Sequence, residues 1–173
     1  MKDAGDTAIF KECREWLLKH VDLFEHVTRE DIEAIPSEIC NSITLSTMHG
    51  CPPQEIENIV TYLLKEKHIH TYVKCNPTLL GYDYMAFTDF HFKDDLQYED
   101  AVPMLKRLMD VAAQEGLSFG VKLTNTFPVD IKRQELPGEE MYMSGKALFP
   151  LSISVAARLA ESFDGKLPMS FSG

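Results

Sequence analysis

Tyr72-Val73-Lys74-Cys75-Asn76-Pro77-Thr78 and Gly120-Val121-Lys122-Leu123-Thr124-Asn125-Thr126 are the two stretches that decide the fold. In each, a short strand-like run reaches a lysine and then breaks into small hydrogen-bonding residues. Between them lies a helical stretch over 100–115, with apolar Leu105, Leu108, Met109 and Ala112, closed by Gly116. Strand, helix, strand in that order implies a parallel pair, because the chain must cross over before its next strand can run the same way. Ligands of parallel α/β folds sit at the C-terminal ends of the strands. Two strands that end in this manner predict a polar, ligand-facing rim.

Working outward, the same grammar repeats. A strand over 43–46 runs through the loop Thr47-Met48-His49-Gly50-Cys51 into Pro52 and Pro53. The prolines open a helix, where a missing N–H costs least, and Ile56, Ile59, Val60, Leu63 and Leu64 form its apolar stripe. Residues 82–98 are aromatic and acidic, with a further strand expected over 84–87. After the strand at 119–123 a polar loop is expected through Gly145. Pro150 then starts a helix carrying Leu151, Val155, Leu159 and Phe163, and a last strand spans 167–171.

Upstream, Ile9, Cys13, Trp16 and Leu17 predict an amphipathic helix over 7–20. Thr28 with Asp31 three residues on is a capping-box variant that starts a second helix, which Pro36 stops. Residues 1–42 thus read as a helical lead-in or insertion without chemistry, and 43–173 as an α/β unit suited to a barrel or a doubly wound sheet. Four strands taken from a barrel leave two open edges, and no helix follows the final strand. The expectation is an incomplete barrel excerpted from a larger domain.

Totals narrow the function. Among 173 residues, 17 are Lys or Arg and 27 are Asp or Glu, a formal charge of −10. That balance argues against nucleic acid or an anionic membrane as a partner. Cys13, Cys40, Cys51 and Cys75 include no CxxC pair, so neither a zinc nor an iron–sulfur site is written here. No apolar run approaches the ~20 residues that span a bilayer. With no signal peptide, the expected location is cytoplasmic, with free thiols.

Several residues at the rim could do chemistry. The loop 47–53 meets a helix N-terminus, whose free N–H groups favour an anion or polar substrate. His49 and Cys51 could act there as a proton donor or thiolate; equally, Gly50 makes a turn and Cys51 packs under the helix. Lys74 and Lys122 could stabilise negative charge developing on a heterocycle or phosphate, or one of them could sit in a salt bridge. Asn76, Thr124, Asn125 and Thr126 suit the amide and carbonyl edges of a ring, although such residues also close turns. Ser144-Gly145 and Ser172-Gly173 look like small-residue phosphate cradles. His68 and His70 fall on opposite faces, which speaks against a shared metal. The acidic pairs Asp94-Asp95 and Glu139-Glu140 read as solvated loops.

Four strings carry a resemblance: Leu45-Ser46-Thr47-Met48-His49-Gly50-Cys51-Pro52-Pro53, Tyr72-Val73-Lys74-Cys75-Asn76-Pro77-Thr78-Leu79-Leu80-Gly81-Tyr82, Gly120-Val121-Lys122-Leu123-Thr124-Asn125-Thr126 and Leu136-Pro137-Gly138-Glu139-Glu140-Met141-Tyr142-Met143-Ser144-Gly145. Together they resemble the large selenate reductase subunit family of multi-domain flavin and iron–sulfur oxidoreductases. That family in turn is similar to the dihydroorotate and dihydropyrimidine dehydrogenases, which carry FMN on a TIM barrel. The resemblance implies a partial TIM (β/α) barrel of the dihydroorotate dehydrogenase type, acting on a small-molecule substrate. Thr47 falls at the position of the family's active-site base. A threonine hydroxyl does not deprotonate unaided near neutral pH, which makes Cys51 a second candidate. Lys74 matches a flavin-contacting lysine, and Thr124-Asn125-Thr126 the segment whose asparagine holds the substrate ring. Ser144-Gly145 and Ser172-Gly173 match the FMN phosphate loops. Iron–sulfur clusters and FAD would belong to other parts of a parent protein, and the partners would be the remaining barrel strands or redox subunits. Two rival readings stand beside this one: a non-catalytic scaffold that folds only on a partner chain, and a small hydrolase or lyase using His49 and Cys51.

Overall fold

The computed structural model describes residues 3–46, 50–81, 95–133 and 136–172. It divides into two compact units, Met1–Asn41 and Ser42–Gly173.

The first unit holds helices α1 (Ala8–Lys19) and α2 (Arg29–Glu33). At α2 the Asp31 N–H donates to Thr28 Oγ1 at 3.2 Å, and Asp31 Oδ2 accepts from the Thr28 N–H at 2.8 Å. This is the reciprocal capping box expected from the spacing. Ile32 is the side chain α2 buries. The apolar stripe of α1 packs less than its periodicity suggests: Ile9 is 70% exposed and Trp16 52%. The indole instead stacks on His20, with ring centroids 4.3 Å apart.

The second unit runs β1 (Ser42–Ser46), α3 (Pro53–Lys65), β2 (His70–Cys75), α4 (Tyr98–Gln114), β3 (Phe119–Leu123), β4 (Phe127–Asp130), β5 (Glu140–Met143), α5 (Phe149–Ser162) and β6 (Met169–Phe171). Strands β1, β2, β3 and β6 form one parallel sheet in that order. The helices start and stop where the sequence says. Pro53 occupies the first turn of α3. Beyond α4, Gly116 adopts φ +67, and the Leu117 N–H reaches back to the Ala112 carbonyl at 2.9 Å.

Alternation along the strands separates the two faces of the sheet. Val73, Cys75, Val121 and Leu123 are buried in one core with Ile56, Val60 and Leu64 of α3, Met104, Leu105 and Leu108 of α4, and Val155 and Leu159 of α5. Positions one residue out of phase (Ser46, Tyr72, Lys74, Gly120, Lys122, Ser170) therefore belong to the opposite face. Three helices on one face and a strand order that never reverses are the staves of a singly wound barrel. A doubly wound sheet would cover both faces and reverse its order at a switch point. The unit is an α/β partial TIM barrel.

Two expectations need comment. The loop expected between Leu123 and Gly145 contains the antiparallel hairpin β4–β5, in which Phe127 pairs with Met143 and Val129 with Met141. Phe127 is buried with Leu148 in a small second cluster, so the hairpin is anchored by its own apolar face. The strand expected over 84–87 lies outside the described residues.

Candidate functional site

The C-terminal ends of the four parallel strands converge on one register row. Ser46 pairs with Lys74, Lys74 with Lys122, and Lys122 with Ser170. The row thus reads serine, lysine, lysine, serine across the sheet, on the face turned from the helices. Both lysines are half-buried, and among the described residues neither has a carboxylate within ion-pair distance. Like charges side by side repel, so the pair is best satisfied by an anion or an electron-rich group lying across it.

Gly120 lets the row approach its neighbours. A Cβ there would lie 2.5 Å from the Pro168 carbonyl oxygen and 2.6 Å from a ring carbon of Tyr72. Only hydrogen fits that gap between β2 and β6.

Beyond the lysines the strand ends are tied by a carboxamide network. The Asn125 Nδ2 amide donates to Asn76 Oδ1 at 2.6 Å, and Ser46 Oγ donates to Asn125 Oδ1 at 3.2 Å. The Asn125 backbone N–H bonds the Cys75 carbonyl at 2.8 Å, and the Ser172 N–H bonds that of Leu123 at 2.9 Å. Ser172 Oγ also reaches the Thr124 carbonyl at 3.4 Å. Lys74, Asn76, Lys122, Asn125 and Ser172 are therefore gathered at one rim.

Other expected site residues stand apart. The Thr124 side chain turns into the core, 2% exposed, with its hydroxyl 3.0 Å from Ser152 Oγ of α5. Ser144 and Gly145 are exposed and follow β5, with no hydrogen bond to the rim among the described residues; Gly145 adopts φ +59. Cys51 packs against the core edge. Burial, and then the Glu55 carboxylate, push its thiol up from the ordinary value. That direction works against the thiolate form that a base at this position would need. Thr47, His49 and Gly173 lie outside the described residues.

Sequence reasoning missed three contributors. Ser46 and Ser170 were findable, because the parallel register that aligns the lysines places these serines beside them. Asp95, expected to be solvated, is 5% exposed and accepts the Gly50 N–H at 3.4 Å. It lines, with Cys51, Lys74 and Asn76, a crevice of about 10 Å³. That is room for one water. A wider cleft of about 370 Å³ lies between the starts of α3 and α4, far from the lysine row in character. Its lining of Glu57, Glu99, Asp100 and a single Arg107 is net acidic and suits no phosphate. Among the described residues no group of three His, Cys, Asp or Glu side chains could hold a metal ion. Nor is any helix there long and apolar enough to cross a membrane.

Two ammonium groups, a carboxamide pair and small hydroxyls form a donor set that suits a heterocycle rich in carbonyl acceptors. Comparison with known proteins gives the family. The family described as "Oxidoreductase YgfK, N-terminal TIM-barrel domain" matches residues 1–173. Curated proteins named "Putative oxidoreductase YgfK", from Escherichia coli strain K12 and from Escherichia coli O157:H7, are each 48% identical over 196 residues. The match covers 100% of this chain and 19% of each relative, so the chain spans about a fifth of their length. The 196 aligned positions exceed the chain's 173 residues, so the relatives carry residues without a counterpart here. With a singly wound partial barrel, a polar rim at its strand ends and a match over every residue, the chain belongs to the oxidoreductase YgfK N-terminal TIM-barrel domain family.

Proposed function

We propose that residues 42–173 supply one wall of an FMN and substrate site in a flavin-dependent oxidoreductase of the selenate reductase type, located in the cytoplasm. The observation that carries this reading is the Lys74–Lys122 register pair, without carboxylate partners among the described residues, beside the Asn76–Asn125 carboxamides. A flavin, when bound, supplies the reversible uptake and release of electrons. The chain's own residues bind and orient. Lys74 and Lys122 stabilise negative charge on the pyrimidine edge of the ring. Asn125, held by Ser46 and Asn76, would present its amide edge to a ring carbonyl. Ser172, Gly173, Ser144 and Gly145 are assigned to the phosphate. Thr47 or Cys51 meets the substrate side, and the upward push on the Cys51 thiol favours Thr47.

The remaining barrel strands, or redox subunits bearing iron–sulfur clusters and FAD, complete the enzyme, and the isolated chain binds FMN weakly. The test is a fluorescence titration of FMN with this chain and with a complete homologous protein. Quenching by the complete protein that is lost on changing both lysines to methionine supports the reading. A complete protein that carries no flavin and takes none up overturns it.

The scaffold alternative rests on a different observation: strands β1 and β6 both end the sheet without a further partner among the described residues. It expects the lysines to be dispensable for any flavin binding by the assembled protein, so the same titration separates the two.

A further inference from the structure

We infer that Arg158, which belongs to the helix side of the sheet, is a positioning residue for the rim: it fixes the turn after β2 and thereby sets Asn76 and its bond to Asn125. The ligand arm of this inference rests on the flavin reading above; the geometric arm does not.

Arg158 Nη1 donates to the carbonyls of both Leu79 (2.9 Å) and Leu80 (2.8 Å). Its guanidinium carbon lies 3.6 Å from the centre of the Tyr98 ring. The Tyr98 hydroxyl closes the arrangement, donating to the Arg158 carbonyl at 3.0 Å and contacting Ser162 Oγ. Tyr98 opens α4, while Arg158 and Ser162 belong to α5, so the cluster pins two helices to one turn. Among the described residues no carboxylate pairs with Arg158. A half-buried guanidinium without an anion is stable only where dipoles and a π face replace water. Here two carbonyls and a tyrosine ring do so.

The turn depends on that support. Pro77–Leu80 is a single 3-10 turn with all four residues buried. Its own bonds are the Leu79 N–H to the Asn76 carbonyl at 3.3 Å and the Gly81 N–H to the Thr78 carbonyl at 3.0 Å. The Thr78 hydroxyl is buried without a hydrogen-bond partner. The Leu79 and Leu80 carbonyls face a similar fate unless Arg158 reaches them, and a buried unpaired carbonyl is costly.

Transmission to the rim is short. Asn76 immediately precedes Pro77, and the proline ring confines the residue before it to extended backbone. Asn76 accordingly sits at φ −91, ψ 153. Moving the turn rotates Asn76 as a unit with Pro77, and its Oδ1 then leaves the Asn125 amide that it meets at 2.6 Å. Among the described residues Arg158 makes no hydrogen bond to the lysine row or to a rim side chain, and its route to the rim is the turn.

The experiment compares wild type with Arg158→Met by two readouts on the full chain. One is the Asn125 side-chain amide signal in a 1H–15N correlation spectrum; the other is FMN affinity by fluorescence. The expected result is a folded variant whose Asn125 amide protons collapse toward ordinary solvent-exposed shifts, with FMN affinity weakened about tenfold. A folded variant with an unchanged Asn125 signal overturns the inference. If the Asn125 signal moves while the complete homologous protein itself takes up no FMN, positioning stands and the flavin reading falls. Should Arg158→Met not fold, Arg158→Gln, which keeps one donor for the carbonyls, is held to the same criteria: a partial shift supports the role and an unaltered spectrum overturns it.

Discussion

Lys74 and Lys122 are register partners on adjacent parallel strands, with Ser46 and Ser170 flanking them on either side. The arrangement stores a small electrostatic penalty in the absence of ligand, because like charges directly opposite one another destabilise a sheet. Lys122→Met is expected to raise the unfolding free energy of the chain by about 0.2–1 kcal/mol in urea melts. On the flavin reading proposed above, the same substitution is expected to weaken FMN binding. A variant that loses stability in the melt, rather than gaining it, contradicts the repulsion.

Gly120 makes the opposite kind of prediction. Gly120→Ala places a methyl group 2.5 Å from the Pro168 carbonyl oxygen, a backbone atom that cannot rotate away. The expected loss is about 1–3 kcal/mol, read as a lower urea midpoint with an unchanged slope. A variant as stable as wild type would show that β3 and β6 can part at no cost.

Arg107 and Glu57 join α4 to α3 by a forked contact, with both nitrogen–oxygen distances 2.7 Å. The guanidinium hydrogen bonds hold the Glu57 carboxyl below its ordinary range, against the opposing effect of burial. A carboxyl lowered on folding contributes stability above its unfolded pKa, and that contribution fades as pH falls through the lower native value. The urea midpoints of wild type and Glu57→Gln should therefore differ most near neutral pH and converge on acidification. A gap that widens in acid would reverse the sign and refute the assignment.

Thiol chemistry should sort by burial. Desolvation pushes Cys75 up to about 12, and Cys51 is also raised, while Cys13 and Cys40 are exposed. With iodoacetamide at pH 8 the order expected by peptide mass spectrometry is Cys13 and Cys40 first, Cys51 slowly, and Cys75 only after unfolding. Rapid alkylation of Cys51 in the native chain would restore it as a reactive candidate.

Much of the barrel was legible because its signals are local. Strand β3 falls on the residues 119–123 that its apolar run marks, and the two lysines announce the rim because a charged group closing an apolar run has few other uses. The capping box at Thr28 and Asp31 is likewise a four-residue matter. What stayed hidden depends on distance or on a single step of phase. Thr124 and Asn125 are neighbours of similar chemistry, yet one turns toward Ser152 and the other toward Asn76. Asp95 looks like a solvated acid until β2 and the Gly50 turn are placed around it. Pro128 masks the alternation of Phe127 and Val129, so β4 reads as loop until its partner β5 is known. Arg158 meets Leu79 and Leu80 across nearly eighty positions of chain, a separation no spacing rule reaches.

Among the described residues no further strand lies beyond β1 or β6, and Ile43 at 40% and Phe171 at 54% exposure sit at those two margins. A margin of that kind resembles a crystal's broken surface: it is a template for extended peptide, its own or another's. Handling the chain at high concentration should thus thicken solutions through side-to-side stacking, and adding a matching pair of strands should make the same protein well behaved.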